Sequence, residues 1–388
     1  MSHTVIELVK IDSQEFSRLR QPWRDLLARS DADPLFCSWE WQYSWWQTWG
    51  DKLGLELYIL AVKQQDRLLA VLPLFQDVYS PTPLLNVRRL QFIGNHWRSN
   101  NTVRSEYLGP IVDVKYSDYA LPLIYQSLFE SDDWDELLIC DQRQQPSLGV
   151  EFGKKLLRLG CRKYTWKKDR SYYVDVKGSF DHYLSQLGKN SRLKLFNRRK
   201  VSKQLTVSSK VCRSQEDRLK FFSKLNNFHE VRWQKMCFES SSLDFHLQLL
   251  NYIKDSDCPI IEQLSSLGDG GCTVSVLYNV VAAGRLYNIQ NGYIERYDKR
   301  LSLGTLHLGY EIEHAYSNKS VVEFDLLAGH GKKSNYKQSL STGFVDVHTI
   351  SYVRKLNFKM AIYFYQLVPE FVASKIIRLV KWISRAKC

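Results

Sequence analysis

Several common signals are missing from this chain of 388 residues. Its eight cysteines include no Cys-x-x-Cys pair, so neither a zinc ribbon nor a dithiol redox motif is indicated, and a reduced compartment is the simplest fit. The first ten residues lack a basic stretch followed by an apolar run, and no apolar segment approaches the roughly 20 residues that a membrane-spanning helix needs. We therefore expect a cytoplasmic protein.

The chain also lacks the motifs of several enzyme classes. It contains no Gly-x-Ser-x-Gly nucleophile motif, and none of its cysteines lies in a recognisable catalytic context. Its histidines and acidic residues do not show metal-site spacing such as His-Glu-x-x-His, so no bound metal is predicted. Neither a covalent enzyme intermediate nor metal chemistry is indicated by the sequence.

Positive charge, in contrast, is abundant and concentrated. The net charge is +13, and residues 162–235 hold 20 Lys or Arg against six Asp or Glu. Within them, residues 189–203 carry seven basic side chains and no acidic one. Each of these charges could belong to a plain solvated helix face, but together they favour a surface for an anionic partner such as nucleic acid, a phosphorylated substrate or an acidic membrane.

The spacing of apolar residues predicts the same order of elements in both halves: helix, hairpin, strand, helix, strand. In the first half we predict strands at 5–9, 55–62, 68–75, 89–93 and 136–140, and helices at 13–29, 39–49 and 116–129. In the second half we predict helices at 180–201, 216–236 and from the 302–305 turn to 315, and strands at 260–267, 273–280, 286–291, 321–325 and 345–350. This order predicts a mixed α/β fold, weakly duplicated, with a boundary near residues 160–176.

The turn Ser302-Leu303-Gly304-Thr305 is the most informative segment, because it opens a helix directly after a strand. The first amides of a helix have no partner within it and lie at the positive end of its dipole, so they suit a phosphate. Ser302 and Thr305 are typical capping residues, and Gly304 would allow close approach to the backbone. A simple helix start is the structural alternative. At the corresponding position the first half of the chain has Tyr107-Leu108-Gly109-Pro110, in which the proline lacks an amide donor.

Three segments resemble a known family, the double-domain GNAT-like acyltransferases grouped with the cellulose-biosynthesis protein CelD and described as BioF2-like, which are distant relatives of the FemAB peptidyltransferases. The segments are Phe36-Cys37-Ser38-Trp39-Glu40-Trp41, Tyr287-Asn288-Ile289-Gln290-Asn291-Gly292-Tyr293 with the 302–306 turn, and Phe324-Asp325 with Gly329 and Tyr336-Lys337. Leu303 stands where the family usually has proline. The resemblance implies tandem duplicated GNAT-like domains, here 1–165 with a degenerate cofactor site and 166–352 with an acyl-CoA site, followed by a basic amphipathic helical tail at 353–388.

The resemblance also implies a reaction, a co-substrate and site residues. Acetyl-CoA or another acyl-CoA would place its pyrophosphate on the 302–305 turn, with Lys299 or Arg300 adding charge. An amine would attack the thioester directly, with Asp325 orienting or deprotonating it, Tyr336 protonating the thiolate, and His330 as a further titrating candidate. Each has a structural alternative: a turn-capping Asp, a hydrogen-bonded Tyr and an inert loop His. Substrate-binding candidates are Gln290, Asn291, Lys337, Arg198 and Arg199.

These observations lead to one main hypothesis and two alternatives. The main hypothesis is an acyl-CoA-dependent N-acyltransferase acting on a small-molecule or glycan-precursor amine, such as an amino sugar or sugar nucleotide of exopolysaccharide or envelope biosynthesis. The basic region favours a FemAB-like transferase that uses aminoacyl-tRNA, and we expect no other nucleic acid as a partner. The tail, 354–387, with eight basic residues and one acidic, favours a non-catalytic accessory of a membrane glycan synthase in peripheral contact with an anionic inner membrane face. A tail helix docked on the protein itself is equally compatible.

Overall fold

The computed structural model describes residues 6–82, 85–97, 102–145, 148–201, 204–210, 214–255, 257–329 and 336–367. Up to residue 175 the elements are β1 (Ile6–Ile11), α1 (Ser13–Arg18), α2 (Arg20–Leu27), α3 (Trp39–Trp49), β2 (Glu56–Gln64), β3 (Arg67–Thr82), β4 (Leu85–Phe92), β5 (Ile111–Val112), α4 (Ser117–Glu130), β6 (Glu136–Arg143), α5 (Leu148–Arg158) and β7 (Arg162–Asp175). Then follow α6 (Phe180–Gln186), α7 (Lys189–Leu195), β8 (Leu205–Lys210), α8 (Gln215–Trp233), α9 (Ser240–Tyr252), β9 (Ile260–Asp269), β10 (Cys272–Ala282), β11 (Arg285–Tyr293), α10 (Leu303–Ser317), β12 (Glu323–Asp325), α11 (Tyr336–Leu340), β13 (Gly343–Val353) and α12 (Leu356–Leu367).

The chain divides into two compact units. One consists of Met1–Lys168 together with Val347–Cys388, and the other of Asp169–Asp346. This division differs at the C-terminal side from the partition suggested by the sequence, which assigned residues up to 352 to the second domain. The reason is strand pairing, because residues 347–353 of β13 pair antiparallel with β6 of the N-terminal unit.

Within each unit the strands follow the same type of order, as the repeated element order predicted. In the N-terminal unit the strand order is β1-β2-β3-β4-β6-β13, and β4 and β6 are the parallel pair. In the second unit the order is β8-β9-β10-β11-β12-β7, and β11 and β12 are the parallel pair. Helix α4 connects the parallel strands of the first unit and helix α10 those of the second. The phosphate-binding turn predicted from the sequence thus begins the crossover helix of the second unit.

Two predicted helices are interrupted. The helix predicted at 13–29 breaks at Leu19 into α1 and α2, because Pro22 has no amide hydrogen and so is tolerated only in the first turn of a new helix. The helix predicted at 180–201 ends at Gln186, resumes as α7 after Gly188, and finishes as a 3-10 helix at Asn197–Val201. The structure describes the predicted basic tail only as far as the end of α12. Among the described helices, none is both long enough and apolar enough to cross a membrane.

Helix α7, which carries part of the basic region, packs directly on α10. Leu195, at its end, is fully buried in a core that includes Leu308 and Ile312 of α10. The approach depends on Gly309, since a Cβ there would lie 2.3 Å from the Leu195 carbonyl oxygen. Glycine at this position therefore fixes the distance between the basic segment and the helix that begins at the 302–305 turn.

We predict that Gly309→Ala destabilises the second unit, because the added methyl group would overlap the backbone of α7. The expected loss is about 1–3 kcal/mol in the free energy of unfolding, the usual cost of overpacking. Urea denaturation followed by circular dichroism measures it. Gly188→Ala is the matched control, since nothing lies within 4 Å of its Cβ position. Equal stability of the two variants would contradict the close contact.

Candidate functional site

The second unit contains a strand whose outer half extends beyond its parallel neighbour. β11 pairs with β12 only through Arg285–Tyr287 and Glu323–Asp325. β12 ends at Asp325, whereas β11 continues to Tyr293 and keeps its antiparallel pairing with β10. Among the described residues no strand pairs with residues 288–293 of β11 on the β12 side. We call this side the open edge of β11; its backbone groups can bond to side chains or to a ligand.

β11 is also irregular at this point. Its register with β10 shifts so that Asn279 pairs with Asn288 while Tyr278 pairs with Gln290, which leaves Ile289 as an extra residue. Such a bulge redirects backbone and side chains and is common beside active sites. The open edge therefore begins at a bulge, whose extra residue lies two positions beyond the last parallel pair.

Helix α10 begins as the sequence predicted, but its capping differs. The first intrahelical bond joins the Leu306 amide to the Ser302 carbonyl at 2.8 Å, so the amides of residues 303–305 precede it. The Ser302 side chain makes no capping bond, and its hydroxyl donates to the Thr305 hydroxyl at 3.2 Å. The capping role predicted for Ser302 is therefore wrong, because its hydroxyl is directed at a neighbouring side chain. Both hydroxyl residues remain partly exposed.

Gly304 has a packing reason in addition to the one proposed from the sequence. A Cβ at this residue would lie 2.4 Å from Cε1 of the Tyr293 ring. Leu303 is only 2% exposed and belongs to a small core with Leu306, against which Tyr293 also packs. The aromatic ring at the end of β11 therefore lies directly on the start of α10 and joins the open edge to the helix terminus.

The cations predicted near this turn differ in their partners. Arg300 is exposed and binds Asp298, with its Nη2 at 2.8 Å from Oδ2, and this guanidinium lowers the pKa of the Asp298 carboxyl to about 2. Arg198 is half-buried and acts on the same carboxylate through its charge alone. Arg199 pairs with Glu313 and lies 3.8 Å from the centre of the Tyr310 ring. Arg199 is therefore engaged in holding its segment on α10.

Asp325 and Lys337 both organise the chain that follows β12. Asp325 is 2% exposed, and its Oδ1 accepts hydrogen bonds from the Leu327 amide at 2.7 Å and from the Ser171 hydroxyl at 3.4 Å. The Lys337 ammonium donates to the carbonyls of Leu327 and Ala328 at 2.9 and 2.8 Å. This geometry matches the turn-capping alternative for Asp325 and gives Lys337 a loop-holding role. Their functional roles stay predictions.

Tyr336 and Asn291 are brought together by the fold. The Asn291 side chain hydrogen-bonds the Tyr336 hydroxyl, and burial, the larger effect, raises the pKa of this tyrosine. A protonated phenol is therefore present beside the open edge of β11, as the leaving-group role requires. Gln290 instead uses its Oε1 to accept the Asn291 amide at 3.1 Å. His330 lies outside the described residues.

Sequence reasoning missed two residues of helix α8. The Nε2 atom of His229 lies 3.0 Å from the Asn291 carbonyl oxygen. Arg232 lies 4.7 Å from the centre of the Tyr293 ring and pairs with Glu295 at 3.5 Å. Both residues are about 60 positions from β11 in sequence, and their helix carried no recognised motif. We call the resulting group the Tyr293 cluster; its members are Tyr293, Asn291, Gly304, Tyr336, His229 and Arg232.

A buried polar network supports α10 from beneath. His307 is fully buried, with Nδ1 and Nε2 each 2.9 Å from the hydroxyls of Ser275 and Ser265. Ser265 donates in turn to Glu311 at 2.6 Å. The same carboxylate accepts from Gln263 and Asn279, and Asn279 accepts from Asn288 at 2.7 Å. The network therefore links the second and third turns of α10 to the start of the open edge.

The segment that contains this site is similar to a known protein domain. Residues 191–338 match the model of the acetyltransferase (GNAT) domain. This range contains the Tyr293 cluster, the start of α10 and most of the basic segment, by which we mean residues 189–203. No curated protein matches the chain. The second unit therefore contains a region similar to the acetyltransferase (GNAT) domain, while a specific relation to CelD or BioF2-like proteins stays a prediction.

Solved structures agree on the fold over nearly the whole chain. FemX is 13% identical with a TM-score of 0.60, and the match covers 93% of this chain and 99% of FemX. L-PGS from Bacillus licheniformis is 10% identical with a TM-score of 0.52, covering 91% and 96%. A protein of unknown function from Bacteroides thetaiotaomicron is 9% identical with a TM-score of 0.54, covering 90% and 100%. Together with the domain match, these similarities confirm the predicted mixed α/β fold of two GNAT-like units.

The buried histidine of the network predicts a pH dependence of stability. Burial lowers the pKa of His307 from 6.5 to about 3. Below pH 6.5 this histidine is protonated in the unfolded chain but not in the native protein. The free energy of unfolding therefore falls as the pH is lowered from about 6.5 to 3, by up to ~1.4 kcal/mol per pH unit for this residue. The raised pKa of Glu311 opposes part of this loss.

The test is urea denaturation of His307→Gln between pH 4 and 7. We expect its stability to decline less steeply with falling pH than that of the unaltered protein. His182→Gln, at an exposed histidine, is the control and should keep the original slope. An unchanged slope in His307→Gln would contradict a neutral buried imidazole.

Proposed function

We propose that the protein is an acyl-CoA-dependent N-acyltransferase whose reaction takes place at the open edge of β11. The observation that carries the proposal is the coincidence of two features in one GNAT-type domain: the amides of residues 303–305, which precede the first helical bond of α10, and the edge of β11 that no described strand pairs. The first suits a pyrophosphate, and the second suits the amide-containing arm that connects it to the thioester.

The donor set fits a phosphate group. Amides of residues 303–305 precede the first helical bond, and the partly exposed hydroxyls of Ser302 and Thr305 lie beside them. Because α10 has 15 residues, its dipole favours an anion at this end. Arg198 adds positive charge near the preceding loop.

The acceptor is an amine, and the family resemblance favours an amino sugar or a sugar nucleotide. The amine attacks the thioester carbonyl, a carbon–nitrogen bond forms, and the carbon–sulfur bond breaks. Tyr336, held by Asn291 next to the open edge, is placed to protonate the departing thiolate. A screen of amino sugars and sugar nucleotides with labelled acetyl-CoA identifies the acceptor.

Thr305→Asp provides the sharpest test of the phosphate site. An acidic side chain in the first helical turn stabilises the helix by about 0.3–1 kcal/mol, so the fold is preserved, but it competes with a bound phosphate for the same amides. We expect the Kd for CoA, measured by calorimetry, to rise about tenfold or more, which corresponds to ~1.4 kcal/mol.

Thr305→Asn is the matched control, since it has the same shape without the charge, and it should bind CoA nearly as tightly as the unaltered protein. Gly304→Glu is less informative, because its Cβ would displace the Tyr293 ring whatever the ligand. Equal affinities of Thr305→Asp and Thr305→Asn would contradict the site, and absence of CoA binding would refute the proposed activity.

A second candidate, transfer of an aminoacyl group from tRNA, is supported by the position of the basic segment. Its 3-10 helix, Asn197–Val201, follows α7 on the surface of α10, and the charge of Arg198 reaches Asp298 just before the start of α10. A nucleic acid bound there would place its phosphates beside the same helix start.

For this candidate we predict salt-sensitive tRNA binding that weakens in the double variant Arg198→Gln/Lys200→Gln. Each lost phosphate contact should reduce the slope of log K against log salt by about one. Filter binding across salt concentrations measures it. Lys154→Gln/Lys319→Gln removes two exposed charges elsewhere and should leave the slope unchanged. Arg199 is left intact because it stabilises the packing of its segment. A protein that binds CoA but shows no tRNA affinity excludes this candidate.

A further inference from the structure

Helix α8 approaches the open edge of β11 across a glycine. A Cβ at Gly292 would lie 2.9 Å from Cδ1 of Leu225 and 3.2 Å from its carbonyl oxygen, so backbone and helix are in direct contact there. His229 is one helical turn beyond Leu225 and lies on the same side of α8. The contact at Gly292 therefore brings the imidazole to the neighbouring residue, Asn291.

The hydrogen bond of His229 defines which ring nitrogen carries the proton. Nε2 lies 3.0 Å from the Asn291 carbonyl oxygen. A carbonyl only accepts, so Nε2 is the donor, and the neutral ring keeps its lone pair on Nδ1. Among the described residues no hydrogen bond engages Nδ1, and the ring remains partly exposed. The side chain is thus a base with a fixed orientation.

The surroundings keep this base unprotonated. Burial is the main cause that lowers the pKa of His229, the positive charge of Arg232 lowers it further, and the bond to Asn291 opposes them in part. Arg232, on the same helix, is the charged group that acts on the ring, and Glu295 pairs with it. Tyr293 and Tyr336 on the other elements stay neutral because burial raises their pKa. At neutral pH the imidazole is therefore ready to accept a proton.

From this geometry we infer that His229 is the proton acceptor of the transfer reaction. The inference rests on the proposed function and assigns the base to α8 rather than to Asp325 or His330. His229 binds the backbone of Asn291, and Tyr336 binds its side chain, so a base and an acid flank one residue of the open edge. As the carbon–nitrogen bond forms, a proton of the attacking amine passes to Nδ1. The departing thiolate takes the Tyr336 proton, and solvent returns the imidazolium proton to the phenolate.

The first experiment maps the base without knowledge of the acceptor. Diethyl pyrocarbonate acylates unprotonated, accessible imidazole nitrogens, and peptide mass spectrometry locates the label. We expect His229 to react at pH 6 and saturating acetyl-CoA to slow its reaction by about tenfold at ~10 times its Kd. Exposed His314 should react with and without acetyl-CoA, and buried His307 should not react.

The outcomes separate this inference from the proposed function. If calorimetry shows CoA binding but His229 is unlabelled or unprotected, the inference fails and the acyltransferase proposal survives. If CoA does not bind, the proposed function itself fails. Protection of His229 with an unprotected His314 supports the assignment whatever the natural acceptor is.

The second experiment measures catalysis with acetyl-CoA and D-glucosamine as the probe amine. His229→Gln retains an N–H donor for the Asn291 carbonyl but has no basic nitrogen. We expect kcat/KM to fall by about 10²–10⁴, with loss of the acid limb of the pH profile and an unchanged Kd for CoA. A variant that keeps the original acid limb would overturn the inference. Should the unaltered protein not acylate this probe, the labelling result decides.

Discussion

The short parallel pairing between β11 and β12 is the constraint on which the site depends. Three residue pairs join the two strands, and the longer strand then continues without a partner strand on that side among the residues that the structure describes. Backbone groups cannot be left unsatisfied inside a fold, so the open edge requires partners other than a strand. His229 supplies one of them at the Asn291 carbonyl, and the Gln290 side chain supplies another at the Asn291 amide. In the proposed function, acyl-CoA is a further partner of this edge.

The adjacent helix is fixed from two sides, while Ser302 and Thr305 at its start stay partly exposed. On its inner face, Glu311 and His307 are buried in a network of hydroxyl and amide partners, which offsets the cost of removing these polar groups from water. On its outer face, Leu195 packs against Gly309. A helix held in this way can direct its amides at a ligand without reorganising, which is the electrostatic preorganisation that enzymes use.

Part of this architecture was predictable. Local patterns located the crossover helices, the start of α10 and most of the strands, because apolar periodicity and turn residues act over short distances. They did not predict β7 or β8. Pro22 and Gly188 interrupted two predicted helices, and both interruptions follow from backbone properties visible in the sequence. Ser302 was misjudged because a hydroxyl has several nearby partners, and its choice depends on the final geometry of the turn.

The sequence by itself determined the repeated order of elements, the position of the helix start at 302–305 and the basic segment beside it, since these depend on local composition and spacing. Only the tertiary structure decided which side chains meet. Gly304 is required by the ring of Tyr293, and His229 reaches Asn291 because Gly292 allows α8 to touch the strand. Such contacts join residues about 10 to 60 positions apart, and no local pattern encodes them, because they arise when helices pack on a completed sheet.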